Sequence, residues 1–120
     1  MYDYKKYLVW QKAHQLFLNT YVLTKNFPES EKFNLTSQIN RAVLSIPTNI
    51  AEGCGRNSQK EFIRFLNISS GSATELDYLF LAAKDLGFIC ENDYVNLISE
   101  LTDIRKMIFA LIQKISSTIN

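Results

Sequence analysis

Residues 38–53 read Gln38-Ile39-Asn40-Arg41-Ala42-Val43-Leu44-Ser45-Ile46-Pro47-Thr48-Asn49-Ile50-Ala51-Glu52-Gly53, the pattern of a helix with almost no solvent face. From Leu35 to Gly53 only Arg41 and Glu52 are charged. Gln38, Arg41, Ser45, Asn49 and Glu52 recur at three- and four-residue steps, which puts them on one narrow stripe of a helical wheel. Leu35, Ile39, Ala42, Val43, Ile46 and Ile50 form the stripe beside it, and Leu44, Pro47 and Ala51 take much of what is left. A helix apolar on two sides with one polar seam is covered from more than one direction, by its own bundle or by neighbouring subunits. On the second of these readings Ile46→Glu is expected to dissociate an oligomer.

Working outward, the spacing predicts helices at about 8–26, 35–53, 58–86 and 92–117. The first carries Trp10, Ala13, Phe17, Thr20, Tyr21 and Thr24 at helical steps and ends at Phe27-Pro28, because the residue before proline is pushed out of the helical region. Asn34 or Thr36 suits the cap of the second, and Pro47 inside it should remove one backbone hydrogen bond and bend it. The alternative is a second helix that stops at Leu44. Ser58-Gln59-Lys60-Glu61 reads as a capping box, the Ser58 hydroxyl accepting from the Glu61 amide while the Glu61 side chain reaches back. The third helix presents Phe62, Phe65, Leu66, Ser69, Ala73, Leu76, Phe80 and Ala83, and Gly87 suits the left-handed position past its end. Tyr94, Leu97, Ile98, Leu101, Ile104, Ile108, Leu111, Ile112 and Ile115 give the fourth its apolar face. Three short connections imply antiparallel neighbours, hence an all-α, up-down-up-down four-helix bundle formed by a single domain of residues 1–120.

Composition narrows the functional classes. A chain of 120 residues that is 47% hydrophobic, with four Gly and two Pro, is ordered and globular. The longest apolar run, Tyr78 to Ala83, is far too short to span a membrane, and no N-terminal signal pattern is present. Two cysteines, Cys54 and Cys90, without CxxC spacing point to a reducing, cytoplasmic setting. The net charge of +1 conceals a polarity: residues 1–64 hold nine Lys/Arg against five Asp/Glu, and residues 65–120 hold four against seven.

Catalytic constellations fare poorly. A di-metal bundle needs several inward carboxylates and two Glu-x-x-His pairs, whereas His14 is the sole histidine. Neither cysteine nor any serine has an oriented base in view. Gly53-Cys54-Gly55 precedes a helix start with Arg56 and Lys60 nearby, but no strand precedes it and no Gly-Lys-Ser/Thr follows, so it reads as a plain helix–helix turn. No catalytic residue, metal ligand, cofactor or small-molecule substrate is therefore expected. The seam of Gln38, Arg41, Ser45, Asn49 and Glu52 should be mutually satisfied against Ser72 and Glu75 of the third helix, with Arg41 reaching Glu75 and with Ser45 and Asn49 bonding Ser72 or a neighbouring subunit. For a nucleic-acid partner, Arg56, Lys60 and Arg64, joined by Lys5, Lys6 and Lys12, are the candidate phosphate contacts.

One resemblance covers essentially the whole chain. Trp10, Lys12 and Ala13; Phe27-Pro28 with Glu31 and Phe33; Leu35-Thr36-Ser37-Gln38; Arg41-Ala42; Ser45-Ile46-Pro47; Asn49-Ile50-Ala51-Glu52-Gly53; Gly55-Arg56 and Ser58 match a known pattern. So do Glu61-Phe62, Phe65-Leu66, Gly71-Ser72, Glu75-Leu76 and Leu86-Gly87. By these residues the chain resembles the small bacterial proteins called 23S rRNA intervening-sequence proteins, sometimes labelled as a ribosomal protein. The block from Ser45 to Arg56 is the most specific part. The resemblance implies a left-handed four-helix bundle assembling into a ring-like homopentamer, without known catalytic activity. A related branch serves as the basic accessory protein of diversity-generating retroelements, which binds nucleic acid and a reverse transcriptase. Asn40 stands where that family commonly has a basic residue and Ser70 where arginine is often seen, which reduces the positive charge here. Two functions follow: an oligomeric scaffold that contacts RNA or a ribonucleoprotein, and a protein-binding adaptor that touches no nucleic acid.

Overall fold

In the computed structural model, which describes residues 3–119, α2 runs unbroken from Leu35 to Cys54 with Pro47 inside it. The alternative of a helix ending at Leu44 is thereby set aside. Pro47 lacks the amide that would donate to the Val43 carbonyl. The three carbonyls just before Pro47 are each served by a side chain: Thr48 Oγ1 donates to Leu44 O at 2.7 Å, Asn49 Nδ2 to Ser45 O at 2.8 Å, and Ser69 Oγ of α3 to Ile46 O at 2.8 Å. Side-chain donors thus support the carbonyls on the turn that proline weakens.

The other helices are α1, Leu8–Thr24, α3, Gln59–Asp85, and α4, Glu91–Ser116, with single 3₁₀ turns at Tyr4–Lys6 and Glu29–Glu31. Among the described residues there is no strand. Each helix packs on the next, and α4 returns to pack on α1, so α1 faces α3 and α2 faces α4 across the diagonals. The molecule measures 49 × 23 × 20 Å. Contacts between helix ends set the layout. Tyr7, before α1, meets Phe62 at the start of α3 with ring centroids 5.9 Å apart. Thr118, past α4, donates to Gln59 Oε1 at 3.0 Å. At the far end Thr24 Oγ1 donates to Asn40 Oδ1 at 3.1 Å, and Phe27 lies 5.6 Å from Phe88.

One continuous core draws on all four helices. Ile39, Val43, Ile46, Ile50, Leu66, Leu76, Phe80, Ile104 and Ile108 are fully buried. Burying a side chain of this size contributes roughly 1.5–3 kcal/mol. The apolar faces expected of α3 and α4 are those that point inward, whereas Ile46 belongs to the subunit's own core. Ile46→Glu would therefore unfold the chain, not dissociate an oligomer.

Local corrections concern the caps. Asn34 precedes α2 but makes no side-chain capping bond; Glu31 Oε1 instead accepts from the Leu35 amide at 3.3 Å. Ser58 does cap α3, accepting from the Glu61 amide at 3.1 Å, yet the Glu61 carboxylate is drawn to Arg64 and does not reach back. Cys90 caps α4, its sulfur accepting from the Asp93 amide at 3.4 Å. Gly87 closes α3 at φ +83°, with Phe88 N donating to Ala83 O and Gly87 N to Lys84 O, both at 2.9 Å.

Gly53 decides how closely α2 and α3 meet. A Cβ there would lie 2.9 Å from both Phe62 Cδ1 and Phe65 Cβ. Gly53→Ala gains helix propensity, about 1 kcal/mol, but the Phe65 Cβ is fixed to backbone and cannot yield. We expect net destabilisation of roughly 1–2 kcal/mol from overpacking, read as a lower urea midpoint with an unchanged slope.

Candidate nucleic-acid interface

Five of the six expected phosphate contacts come together at the end of the molecule where α1 and α3 begin and α2 finishes. Lys5 and Lys6 sit on the 3₁₀ turn, which Asp3 caps by accepting from the Lys5 amide at 3.0 Å. Gln11 Nε2 donates to Lys5 O at 2.8 Å and ties that turn to α1. Arg56 follows α2, and Lys60 and Arg64 lie on the first turns of α3.

Phe65 organises the two arginines. Its ring centroid is 4.7 Å from the Arg56 guanidinium carbon and 4.5 Å from that of Arg64, so both cations rest on one nearly buried ring. Each also has an acidic partner. Arg64 donates through Nε and Nη2 to the two Glu61 oxygens at 3.0 and 3.1 Å, and Arg56 lies 3.9 Å from Glu52. Those bonds hold the Glu61 carboxyl below its ordinary pKa and raise that of Arg64. Lys60 is exposed and makes no ion pair among the described residues. Lys12, by contrast, lines a groove between α1 and α4 with Glu100 and Asp103 and does not join the cluster.

The polar seam divides in two. Ser45 Oγ and Ser72 Oγ are 2.8 Å apart, and Asn49 Nδ2 donates to Ser45 Oγ at 2.9 Å, which satisfies the half-buried centre of the α2–α3 contact. Arg41 and Glu75 do not pair; both are exposed. The four-residue step from Ser45 back to Arg41 turns about 40° toward solvent, and the step from Ser72 to Glu75 turns outward as well. Gln38 is exposed too, and Glu52 serves Arg56.

Between these elements lies an open cavity of about 660 Å³. Lys6, Arg56 and Lys114 supply its cations and Asp3 its one acid, while Cys54, Phe62, Leu111 and Ile115 form an apolar floor. Asn57, Ser58, Gln59 and Thr118 add polar groups, and Tyr7 and Gly53 also line it. Sequence reasoning missed Lys114 and the floor, because nothing in the spacing says that the end of α4 closes over the start of α3. His14 lies apart, half-buried and stacked on Trp10 with centroids 4.9 Å apart. Among the described residues no group of His, Cys, Asp and Glu is placed to hold a metal ion, and no helix is long and apolar enough to cross a membrane.

Fold and basic end together define a four-helix, all-α protein with a polar helix–helix seam. Residues 5–110 match the family model described as the 23S rRNA-intervening sequence protein, and the chain belongs to that family. It is similar to a crystallised protein of unknown function from the S23 ribosomal protein family of Bacteroides thetaiotaomicron, at 27% sequence identity and a TM-score of 0.83, covering 88% of this chain and 96% of that one. No curated protein matches it.

The two thiols differ. Cys54 is buried, and desolvation, then the charge of Asp3, push its pKa up to about 11, whereas Cys90 is exposed. A raised pKa keeps Cys54 protonated and unreactive at pH 8. A disulfide reagent should titrate one thiol per native chain at that pH and two after denaturation. Cys90→Ser should leave the native chain unreactive.

Proposed function

We propose that this chain is a non-catalytic, cytoplasmic binding and scaffolding module that contacts RNA or a ribonucleoprotein. In this reading it is an antiparallel up-down-up-down, left-handed bundle that assembles into a ring-like homo-oligomer, a pentamer by family resemblance. The end contacts Tyr7–Phe62, Gln59–Thr118 and Phe27–Phe88 support the alternation of helix direction. The observation that carries the RNA reading is the convergence of Lys5, Lys6, Arg56, Lys60 and Arg64 on one end, which an oligomer would repeat around its axis. The family description, with its reference to 23S rRNA, supports the same partner class.

A second reading has its own support. Arg56 and Arg64 are already engaged by Glu52 and Glu61, Lys12 sits beside two acids, and the net charge is only +1. These favour a protein-binding adaptor, such as a reverse-transcriptase accessory protein, over a nucleic-acid binder.

Titration with fluorescent structured RNA and duplex DNA at two salt concentrations separates the two. On the RNA reading, binding weakens steeply with salt and is lost in Arg56→Ala/Lys60→Ala/Arg64→Ala, whereas Lys12→Ala changes it little. Absence of binding at low salt would leave the adaptor. For assembly, the residue to change is Leu44, which is 41% exposed on α2, with Leu18 and Tyr21 of α1 also uncovered. Leu44→Glu should reduce the native mass to that of a monomer while the helical spectrum and melting temperature persist; an unchanged mass would remove α2 from the interface.

A further inference from the structure

We propose that the cavity between the 3₁₀ turn, the α2–α3 connector and the end of α4 is a binding site for a nucleoside monophosphate. Its volume, about 660 Å³, falls in the range of small-ligand sites. Three cations from separate parts of the chain, Lys6, Arg56 and Lys114, converge on it against one acid among the described residues of its lining, with Glu52 beside Arg56 on the outer side. That acid, Asp3, caps the 3₁₀ turn through one carboxylate oxygen and keeps its charge, so the cations still outnumber it. Such an arrangement suits a compact anionic head carrying one or two charges.

The rest of the lining specifies the body of the ligand. Phe62, Leu111 and Ile115 offer an apolar floor on which a flat ring can lie, and Phe62 is held edge-on by Tyr7. Asn57, Gln59 and Thr118 add amide and hydroxyl groups around that floor. Among the described residues Asn57 makes no side-chain hydrogen bond, and Gln59 meets the Thr118 hydroxyl, which also lies 2.7 Å from Ile115 O, through Oε1 and makes no bond through its amide nitrogen. An alkyl chain would leave those polar groups desolvated without partners, and a bare phosphate would leave the floor wet. A heterocyclic base with polar edges, attached to a phosphate, meets both requirements.

This goes beyond the proposed RNA contact, which relies on outward side chains; the two share only Lys6 and Arg56. The nucleotide's source is either a free molecule or the phosphorylated end of an RNA strand, and the chemistry recognised is the same.

The test is calorimetric titration of the full chain with AMP at low salt. Saturable binding is expected, with adenosine alone and inorganic phosphate alone each binding at least tenfold more weakly. Lys114→Ala should weaken AMP about tenfold, the loss of one charge-assisted contact, while Arg64→Ala and Lys60→Ala leave it unchanged. Leu111→Trp, which fills the floor, should abolish binding; because it risks the fold, Lys114→Ala with an unaltered melting temperature is the deciding variant. Displacement of AMP by a 5′-phosphorylated oligonucleotide, but not by its unphosphorylated form, would assign the strand end as source, and lack of displacement would assign the free nucleotide. No saturable AMP binding, or binding that Lys114→Ala leaves intact and Arg64→Ala removes, would overturn the site. Salt-sensitive binding of structured RNA that survives Lys114→Ala would uphold the outer contact even so.

Discussion

The close approach of α2 and α3 is the constraint on which the remaining structure depends. Gly53 lies against Phe62 and Phe65 where no Cβ fits, and further along Ser69 donates to the Ile46 carbonyl and Ser45 meets Ser72. Small and hydroxylated side chains let the backbones come near enough for the hydroxyl of one helix to serve the carbonyl of the other. That service matters because Pro47 has weakened the same turn. Replacing the proline would restore the amide bond to Val43 O and leave the Ser69 bond to Ile46 O in place. The same approach fixes Phe65, whose ring then holds Arg56 and Arg64.

Much of the fold was legible because it rests on period. The inward stripes of α2, α3 and α4 repeat at three and four residues, and a helix that must bury one face against three others declares that face in its spacing. The continuation of α2 through Pro47 was legible for the same reason, since Ile46 and Ile50 carry the repeat across it. What failed was local and depended on competition between partners. The Glu61 side chain had the Ser58 amide within its sequence pattern, but a guanidinium one turn further on makes two charged bonds where the amide would make one. Cys90 caps α4 with a sulfur, an acceptor too weak to stand out beside the usual Ser, Thr, Asp or Asn.

The basic end was half legible. Arg56, Lys60 and Arg64 are near in sequence, and Lys5 and Lys6 reach them because Tyr7 docks on Phe62. Lys12 looked equivalent on charge alone, but a helical turn and more past Lys6 carries it round toward α4 and its acids. Lys114 could not be foreseen, since its place follows from where the last turn of α4 comes to rest, tied by Thr118 to Gln59. Charge counts name candidates, and only the packing of helix ends decides which of them share a surface.

The pairing of Arg56 and Arg64 with carboxylates bears on how such an end would meet a polyanion. A phosphate approaching Arg64 would exchange with two hydrogen bonds already made to Glu61, an exposed pair that costs little to give up. The Glu61 carboxylate, released but still close, would then repel the incoming phosphate. Lys60 on the rim and Lys6 and Lys114 at the cavity, which have no ion pair among the described residues, carry no such penalty. The Phe65 ring meanwhile lies within 4.7 Å of both guanidinium carbons and holds them near it before any partner arrives, which limits the entropy lost on binding. On the RNA reading proposed above, Arg64 would therefore serve chiefly in orientation, and affinity would rest on the cations with less to give up.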